Sequence, residues 1–558
     1  MSNALFGYTG LVGSNILTKY KFDYLYNSKN INNSKYKEFD TIFICCIPAV
    51  KWIANKFPEK DSENIEYIKN IFKTIKANHV ILISTIDIYD NINNKLNENT
   101  LIEYSNNHTY GKNRYLFELF IKEHFKNNNI IRLPALFGKG LKKNIIYDLL
   151  NNNNNINVIS TNTSFQWYNL EWLKTDIDIC INNNIKECNL FTEPLETINI
   201  LNLFDYDYNS NPKNIFNYDT QTIYSKFFTS NTNGYIRNKD IVFNDIKEFI
   251  IRENKYKNSK INNNFNNNFK YKLCVSNISN NKLSNSQYYS ILKYYGIQYI
   301  EIAPTKFYDW NIFFTGNDSN ENIKNIITEA NAFDLNIYSF QSITFTINNN
   351  IFDKDNSDLL IHCKKVIDLA CSIGVKNLVF GCPRNRKIII DDTNQNNNQN
   401  QNIFINFMTV LGNYINDRDL IISLENNSKQ YNCNFLNTID EIGDITFKIN
   451  HPKIKMMVDI GNCLMENDTI ENMIKYKNII NHIHISTPFM KPFNNVFYNN
   501  NIYNDYDNYY KNFINILNII NYDKIISLEF LNNDENNKNN ELVNLNESLS
   551  NFINLFFI

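Results

Sequence analysis

The sequence predicts an α/β protein of two domains, a doubly wound parallel sheet followed by a closed (β/α)8 barrel. Three observations predict it. At 558 residues the chain is too long for one ordinary domain. Short apolar runs alternate with helical patterns along almost its whole length, the order of parallel strands joined by helical crossovers. One polar, Asn-rich stretch, Arg252–Lys272, has no apolar period and interrupts that alternation as a linker. It divides a first domain, residues 1–251, from a second, residues 273–558.

Hydrophobic residues make up 43% of the chain, enough apolar surface to fill two cores. Acidic and basic residues nearly balance, 57 against 55, for a net charge of −2. No basic excess marks a nucleic-acid surface, so nucleic acid is not an expected partner. Ten cysteines are scattered without a CxxC pair, which suits reduced thiols and a cytoplasmic setting. The chain runs directly into a strand and a glycine turn, so no signal peptide is expected. No apolar run has the length of a membrane span. Asparagine runs such as Asn151–Asn155 and Asn394–Asn402 read as swollen surface loops.

In the first domain, Asn3–Tyr8 reads as a strand. It leads into GYTGLVGSNIL, where Gly7, Gly10 and Gly13, with Leu11 and Val12 among them, form a turn that enters a helix. Glycines there let backbone N–H groups approach a pyrophosphate, so this is the expected cofactor-binding element. Plain helix-on-strand packing is the alternative. Further strands are expected at Lys21–Tyr26, at Asp40–Pro48 and in HVILISTIDIYD, with a helix over Ser62–Asn78. No carboxylate follows Tyr26, where NAD enzymes place one on the ribose, and Lys29 leans the choice from NAD toward NADP.

YGKNRYLFELFIKEHF is an amphipathic helix, and IIRLPALFGKG is the strand and loop after it. In this order the chain resembles the extended short-chain dehydrogenase/reductases, the nucleotide-sugar epimerases and dehydratases. That family pairs a strand-end Ser or Thr with a later Tyr-x-x-x-Lys. Thr85 and Tyr110 stand in that relation, and YGKNR reproduces the start of the tyrosine helix. The resemblance implies a Rossmann domain binding NAD or NADP, with Tyr110 as general acid/base and Thr85 hydrogen-bonded to the reacting oxygen. Arg114 stands where the family has lysine. It keeps the charge that brings a phenol's pKa down, but it is not interchangeable with lysine. A tyrosine in a retained but idle cofactor fold is the alternative.

The second domain restarts the alternation. Strands are expected in YKLCVSNIS, GIQYIEIAP, NIYSFQSITF, VKNLVFGCPRNR, DLIISLENN, KIKMMVDIGN, INHIHIST and DKIISLEFLNN, with helices between them such as Ser286–Tyr295, Ser357–Ser372 and Phe404–Asn416. That is the content of a (β/α)8 barrel, with an open sheet as the alternative. Four strands deliver a metal-capable side chain at or near their C-terminal ends: Glu425, Asp459, His484 and Glu529. Barrel active sites are assembled from strand ends in this way. Strand-end carboxylates also cap helices, but four in order are harder to assign to capping. Oxygen-rich ligands with one imidazole suit Mn²⁺, Mg²⁺ or Co²⁺, and also Zn²⁺.

From about Lys270 onward the sequence is similar to the xylose isomerase-like TIM barrel family of sugar-phosphate isomerases and epimerases, whose members use Glu, Asp, His and Glu in that chain order. The resemblance implies a metal bridging a carbonyl and its neighbouring hydroxyl, which acidifies the C–H between them. Glu425 and Glu529 would be the proton-moving bases as well as ligands. Glu301, Lys491, Arg384 and Arg386 are candidates for substrate hydroxyls or an anion. Asn462 stands where many relatives carry histidine, and His482, alternating with His484, is a substitute ligand.

Together these features point to a bifunctional carbohydrate enzyme. One half would be an NAD(P)-dependent epimerase, dehydratase or reductase of a sugar or nucleotide sugar. The other would be a divalent-metal-dependent sugar or sugar-phosphate isomerase or epimerase. A chain with one active half and one binding module, and an apurinic-site endonuclease-like barrel, are the alternatives. Small-molecule sugars are the expected partners, with homo-oligomer formation open.

Overall fold

The computed structural model describes residues 2–90, 92, 94–151, 161–204, 217–228, 233–264, 271–315, 319–388, 397–494, 504–532 and 540–556. The chain divides into two compact units, Met1–Ser259 and Lys260–Ile558. None of the described helices is long and apolar enough to cross a membrane.

Six parallel strands form the sheet of the first unit: β1 (Asn3–Phe6), β2 (Tyr24–Tyr26), β3 (Glu38–Ile44), β4 (Lys76–Thr85), β5 (Asn128–Leu133) and β6 (Glu187–Asn189). Their order is β2-β1-β3-β4-β5-β6. The chain passes from β1 to one neighbour and then crosses to the other side of β1, so the strand order reverses there. Alternate residues Ala4, Phe6, Ile42, Ile44, Val80 and Leu82 pack against Ile65, Ile68 and Phe72 of one helix and Phe117 and Ile121 of another. The intervening Leu5, Phe43, Ile81 and Ile131 are also buried. Strands buried on both faces read as continuous apolar runs, which is why they are visible in the sequence.

The glycine turn lies where the order reverses. Gly7 has φ +89°, and a Cβ on Gly13 would stand 2.1 Å from the Gly7 carbonyl oxygen, so only glycine lets the helix Leu11–Leu17 seat on the turn.

Three expectations shift. The helix expected over Ser62–Asn78 spans Pro58–Phe72, and the chain enters β4 at Lys76. Lys76 and Ala77 pair with Glu38 and Phe39 of β3, and a 2.6 Å Lys76–Glu38 ion pair crosses the strands. Sheet pairing thus claims polar residues that a helical pattern also fits. The stretch read as a linker begins inside a helix, Lys239–Asn264. Val242, Ile246, Phe249 and Ile250 dock its first turns beside Trp167 and Phe137. No Pro or Gly follows to break it before Asn264. Residues 265–270 of that stretch lie outside the described residues, and Asn397–Asn402, read as loop, begins the helix Asn397–Ile415.

The second unit is a closed barrel of eight strands: β7 (Lys272–Ser276), β8 (Tyr299–Ile302), β9 (Asn336–Phe340), β10 (Asn377–Phe380), β11 (Ile421–Leu424), β12 (Ile454–Asp459), β13 (Ile480–Ile485) and β14 (Ile525–Leu528). Closure is made by parallel pairing of β7 with β14. Asn377 ties Ser339, Ser423 and Asn481 together by hydrogen bonds of 2.6–3.1 Å, a polar layer joining the inward faces of four strands. The barrel therefore carries hydrogen-bonded polar residues inside, where an aliphatic filling is usual.

Candidate functional site

The C-terminal strand ends of the barrel bring the four expected ligands together. Glu425 follows β11 directly, Asp459 ends β12, His484 is the penultimate residue of β13, and Glu529 follows β14. One ligand atom from each lies within 4.8 Å of all the others. All four are buried: Glu425 is 7% exposed, Asp459 2%, His484 0% and Glu529 6%. Nδ1 of His484 stands 3.1 Å from Glu425 Oε1, 3.0 Å from Glu529 Oε2 and 3.8 Å from Asp459 Oδ2.

The surroundings hold these groups in place. Asp459 caps the helix Ile460–Glu466, accepting from the Asn462 N–H at 2.6 Å, and Ser486 Oγ donates to its carboxylate at 2.8 and 2.9 Å. Its own N–H donates to Asn426 Oδ1 at 2.9 Å. Glu425 Oε2 accepts from Asn427 Nδ2 at 3.2 Å. Gly381 makes room for it, because a Cβ there would lie 2.1 Å from Glu425 Oε2. Asn462, where histidine is expected, lines the cavity beside Glu425, Asp459 and Glu529, and its side-chain oxygen accepts from the Ser428 N–H at 3.0 Å.

Electrostatics favour a cation here. Burial, followed by Glu425 and Glu529, pushes the Asp459 carboxyl up to about 8, and burial raises Glu529 as well. Three carboxylates crowded out of water repel one another unless a positive charge is shared between them. Burial alone would lower His484, but Glu529, Glu301 and Glu425 raise it well above the ordinary imidazole value. Neither ring nitrogen of His484 has a hydrogen bond among the described residues despite these short approaches. A buried imidazole nitrogen without a hydrogen bond, facing three carboxylate oxygens, fits a divalent cation of the Mn²⁺, Mg²⁺, Co²⁺ or Zn²⁺ type.

Other expected residues are placed differently. Glu301, read as a substrate contact, is fully buried in β8. It meets His482 Nε2 at 3.0 Å and His484 Nε2 at 2.9 Å. Burial alone would raise its pKa, but the two imidazoles hold it well below the usual carboxylate range. His482 faces Glu301 and is not one of the four converging ligands. Arg386 is fully buried, donating to the Leu436 carbonyl at 3.3 Å, so it lies behind the wall of the site. Lys491 is exposed and does not line the cavity, whereas Arg384 does.

That cavity, of about 400 Å³, contains Glu425, Asp459 and Glu529 in its wall together with Gln341, Phe345, Arg384, Asn427, Tyr431 and Met490. Two polar atoms in it stand buried without a hydrogen bond among the described residues, Asn427 Oδ1 and Tyr431 Oη. Burial, then Asp459, Glu529 and Glu425, raises the Tyr431 phenol. Both follow Glu425 in ENNSKQY, a loop without periodicity, and sequence reading missed them.

In the first unit, Thr85 ends β4 and accepts from the Asp87 N–H at 3.2 Å. Tyr110 is buried in the helix Thr109–His124. Burial raises the phenol, and the nearby Arg114 guanidinium offsets only part of that shift. The Arg114 guanidinium lies 4.0 Å from the Tyr110 ring centroid and is engaged by Asp61 Oδ2 at 2.5 Å and by the Pro48 carbonyl. Gly10 caps the helix that Leu11 and Val12 open.

Residues 290–549 match the family described as xylose isomerase-like TIM barrel. No curated protein matches the chain in sequence. Similar solved structures include a 3-keto-D-glucoside 4-epimerase from E. coli, at 12% identity over 50% of this chain and 99% of that one, with TM-score 0.39. Another is a D-psicose 3-epimerase with D-tagatose from Clostridium cellulolyticum H10, at 13% identity over 51% of this chain and 94% of that one, with TM-score 0.38. A third is a D-allulose 3-epimerase from Methylomonas sp. in complex with D-allulose, at 16% identity over 50% of this chain and 93% of that one, with TM-score 0.35.

Proposed function

We propose that the xylose isomerase-like barrel in residues 290–549 is the catalytic part of this chain, a divalent-metal-dependent isomerase or epimerase of a sugar or sugar phosphate. The reaction is transfer of a proton at the carbon next to a carbonyl. The observation that carries this reading is the convergence of Glu425, Asp459, His484 and Glu529 on one buried cluster beside a cavity of about 400 Å³. A bound metal supplies Lewis acidity, polarising a carbonyl and acidifying the adjacent C–H.

The chain's own residues divide the remaining work. Glu425 and Glu529 come from strand ends separated in the barrel by β12 and β13, so two carboxylates reach the cavity from different sides. One removes the proton and the other returns one. Asp459 is held by Ser486 and the Asn462 N–H and serves as a fixed ligand. Asn427 Oδ1 and Tyr431 Oη offer an acceptor and a donor to substrate hydroxyls. The test is incubation of the Mn²⁺-loaded full chain with ketoses, aldoses and their phosphates in D₂O, read by NMR. Deuterium should enter at the carbon beside the carbonyl, and a metal-loaded protein that exchanges none of these would overturn the assignment.

For the first unit we propose an NAD- or NADP-binding Rossmann domain, supported by the glycine turn standing where the order of the parallel sheet reverses. Engagement of Arg114 by Asp61 favours binding over redox turnover there. NADPH or NADH fluorescence should change on titration with the full chain; no response to either cofactor makes Gly7–Gly13 a structural turn.

A further inference from the structure

We propose that Glu301 and His482 are positioning residues for the metal centre: Glu301 fixes His484 with Nδ1 toward the three ligand carboxylates, and His482 fixes Glu301. This rests on the metal-centre reading above and adds the elements that orient its imidazole ligand.

The geometry is two-sided. His484 Nδ1 faces Glu425, Asp459 and Glu529, while its other nitrogen, Nε2, stands 2.9 Å from Glu301 Oε1. A neutral imidazole has one N–H and one lone pair. A carboxylate beside Nε2 favours the hydrogen on that side, leaving the Nδ1 lone pair for a metal. The other tautomer would set its N–H against the ligand carboxylates and its lone pair against Glu301.

The second oxygen of Glu301 meets the neighbouring histidine, with Oε2 3.0 Å from His482 Nε2. His482 and His484 project to the same side of β13, with ring centroids 5.2 Å apart, and Glu301 reaches both from β8. All three residues are 0% exposed. With bulk water excluded, Glu301 is the charged group next to Nε2. Its depth also separates it from substrate, since neither Glu301 nor His482 lines the cavity.

Glu301, His482 and His484 are also close enough to hold a cation themselves. That arrangement would give two metals per chain, whereas the positioning role gives one.

The experiment uses the full chain stripped by chelator, with Mn²⁺ affinity measured by chelator competition and the Co²⁺-loaded visible spectrum as a second readout. Glu301→Ala should weaken Mn²⁺ binding about 10–100-fold, the range for lost outer-shell support of a ligand. It should also shift the Co²⁺ bands, which a merely structural residue would leave in place. Glu301→Gln keeps the shape but not the charge, and should lie between Glu301→Ala and the parent. It decides the matter if the alanine variant does not fold. Glu301→Gln with parental affinity and spectrum overturns the proposal, as does binding of two Mn²⁺ by the parent with one lost in the variant. A parent that binds no Mn²⁺ overturns the metal-centre reading itself.

Discussion

Glu425→Gln and Glu529→Gln should each stop exchange of the substrate's carbon-bound hydrogen with D₂O, lowering the rate about 10²–10⁴-fold, the contribution of a positioned acid or base. Both variants remove a base and weaken a ligand at once, so the two roles have to be separated. Glutamine keeps one carbonyl oxygen as a neutral donor, and Mn²⁺ affinity should fall much less than exchange. Glu425 needs the more careful reading, because its Oε2 accepts from Asn427 Nδ2 and lies against Gly381. The amide introduced by Glu425→Gln would oppose the Asn427 donor unless it turned its oxygen there. Loss of exchange in proportion to lost metal would assign these residues as ligands alone. Loss of exchange at saturating Mn²⁺ assigns them as bases.

Arg132→Ala should destabilise the first unit by about 3–5 kcal/mol, the cost of breaking a buried ion pair from one side. Arg132 in β5 is 1% exposed, and Glu118 is 0% exposed. Its Nε and Nη2 donate to the two Glu118 oxygens at 3.1 and 2.7 Å, and Nη2 also meets Glu187 at 2.6 Å. Removing the guanidinium leaves the Glu118 carboxylate buried without its charge partner. The paired variant Arg132→Met with Glu118→Leu removes both charges and should cost far less, because replacing a buried pair by apolar groups is often near neutral. Urea unfolding followed in the full chain checks this. The unfolding transition that moves in Arg132→Ala should recover in the double variant. Equal losses in both would assign Arg132 to packing through its aliphatic stem.

The four ligands are legible in the sequence because each ends a continuous apolar run, and a closed barrel brings such ends together. Glu301 carries the same signature as Glu425, a carboxylate at the end of a short apolar strand. The pattern does not reveal its role because that role depends on depth. Glu301 lies within β8 and meets β13 across the closed barrel, whereas Glu425 lies just beyond β11 and opens on the cavity. The alternation of His482 and His484 is readable, but the residue between them comes from a distant part of the chain. Tyr431 and Asn427 leave no signal, since loop residues lack a period and only the fold shows that Tyr431 Oη and Asn427 Oδ1 are buried without a hydrogen bond among the described residues. In the first unit, strand order and the fit of Gly13 on Gly7 agree with the glycine pattern. The commitment of Arg114 to Asp61 arises from the packing of two helices and is not visible at either position.

The proposed reaction requires a single divalent-metal centre made by Glu425, Asp459, His484 and Glu529. Titration of Mn²⁺ into the stripped full chain, with free Mn²⁺ counted by EPR, tests it most directly. The structure predicts saturation at one Mn²⁺ per chain, and loss of that site in Asp459→Ala with the fold retained. Absence of saturable binding, or a site that survives in Asp459→Ala unchanged, would contradict it.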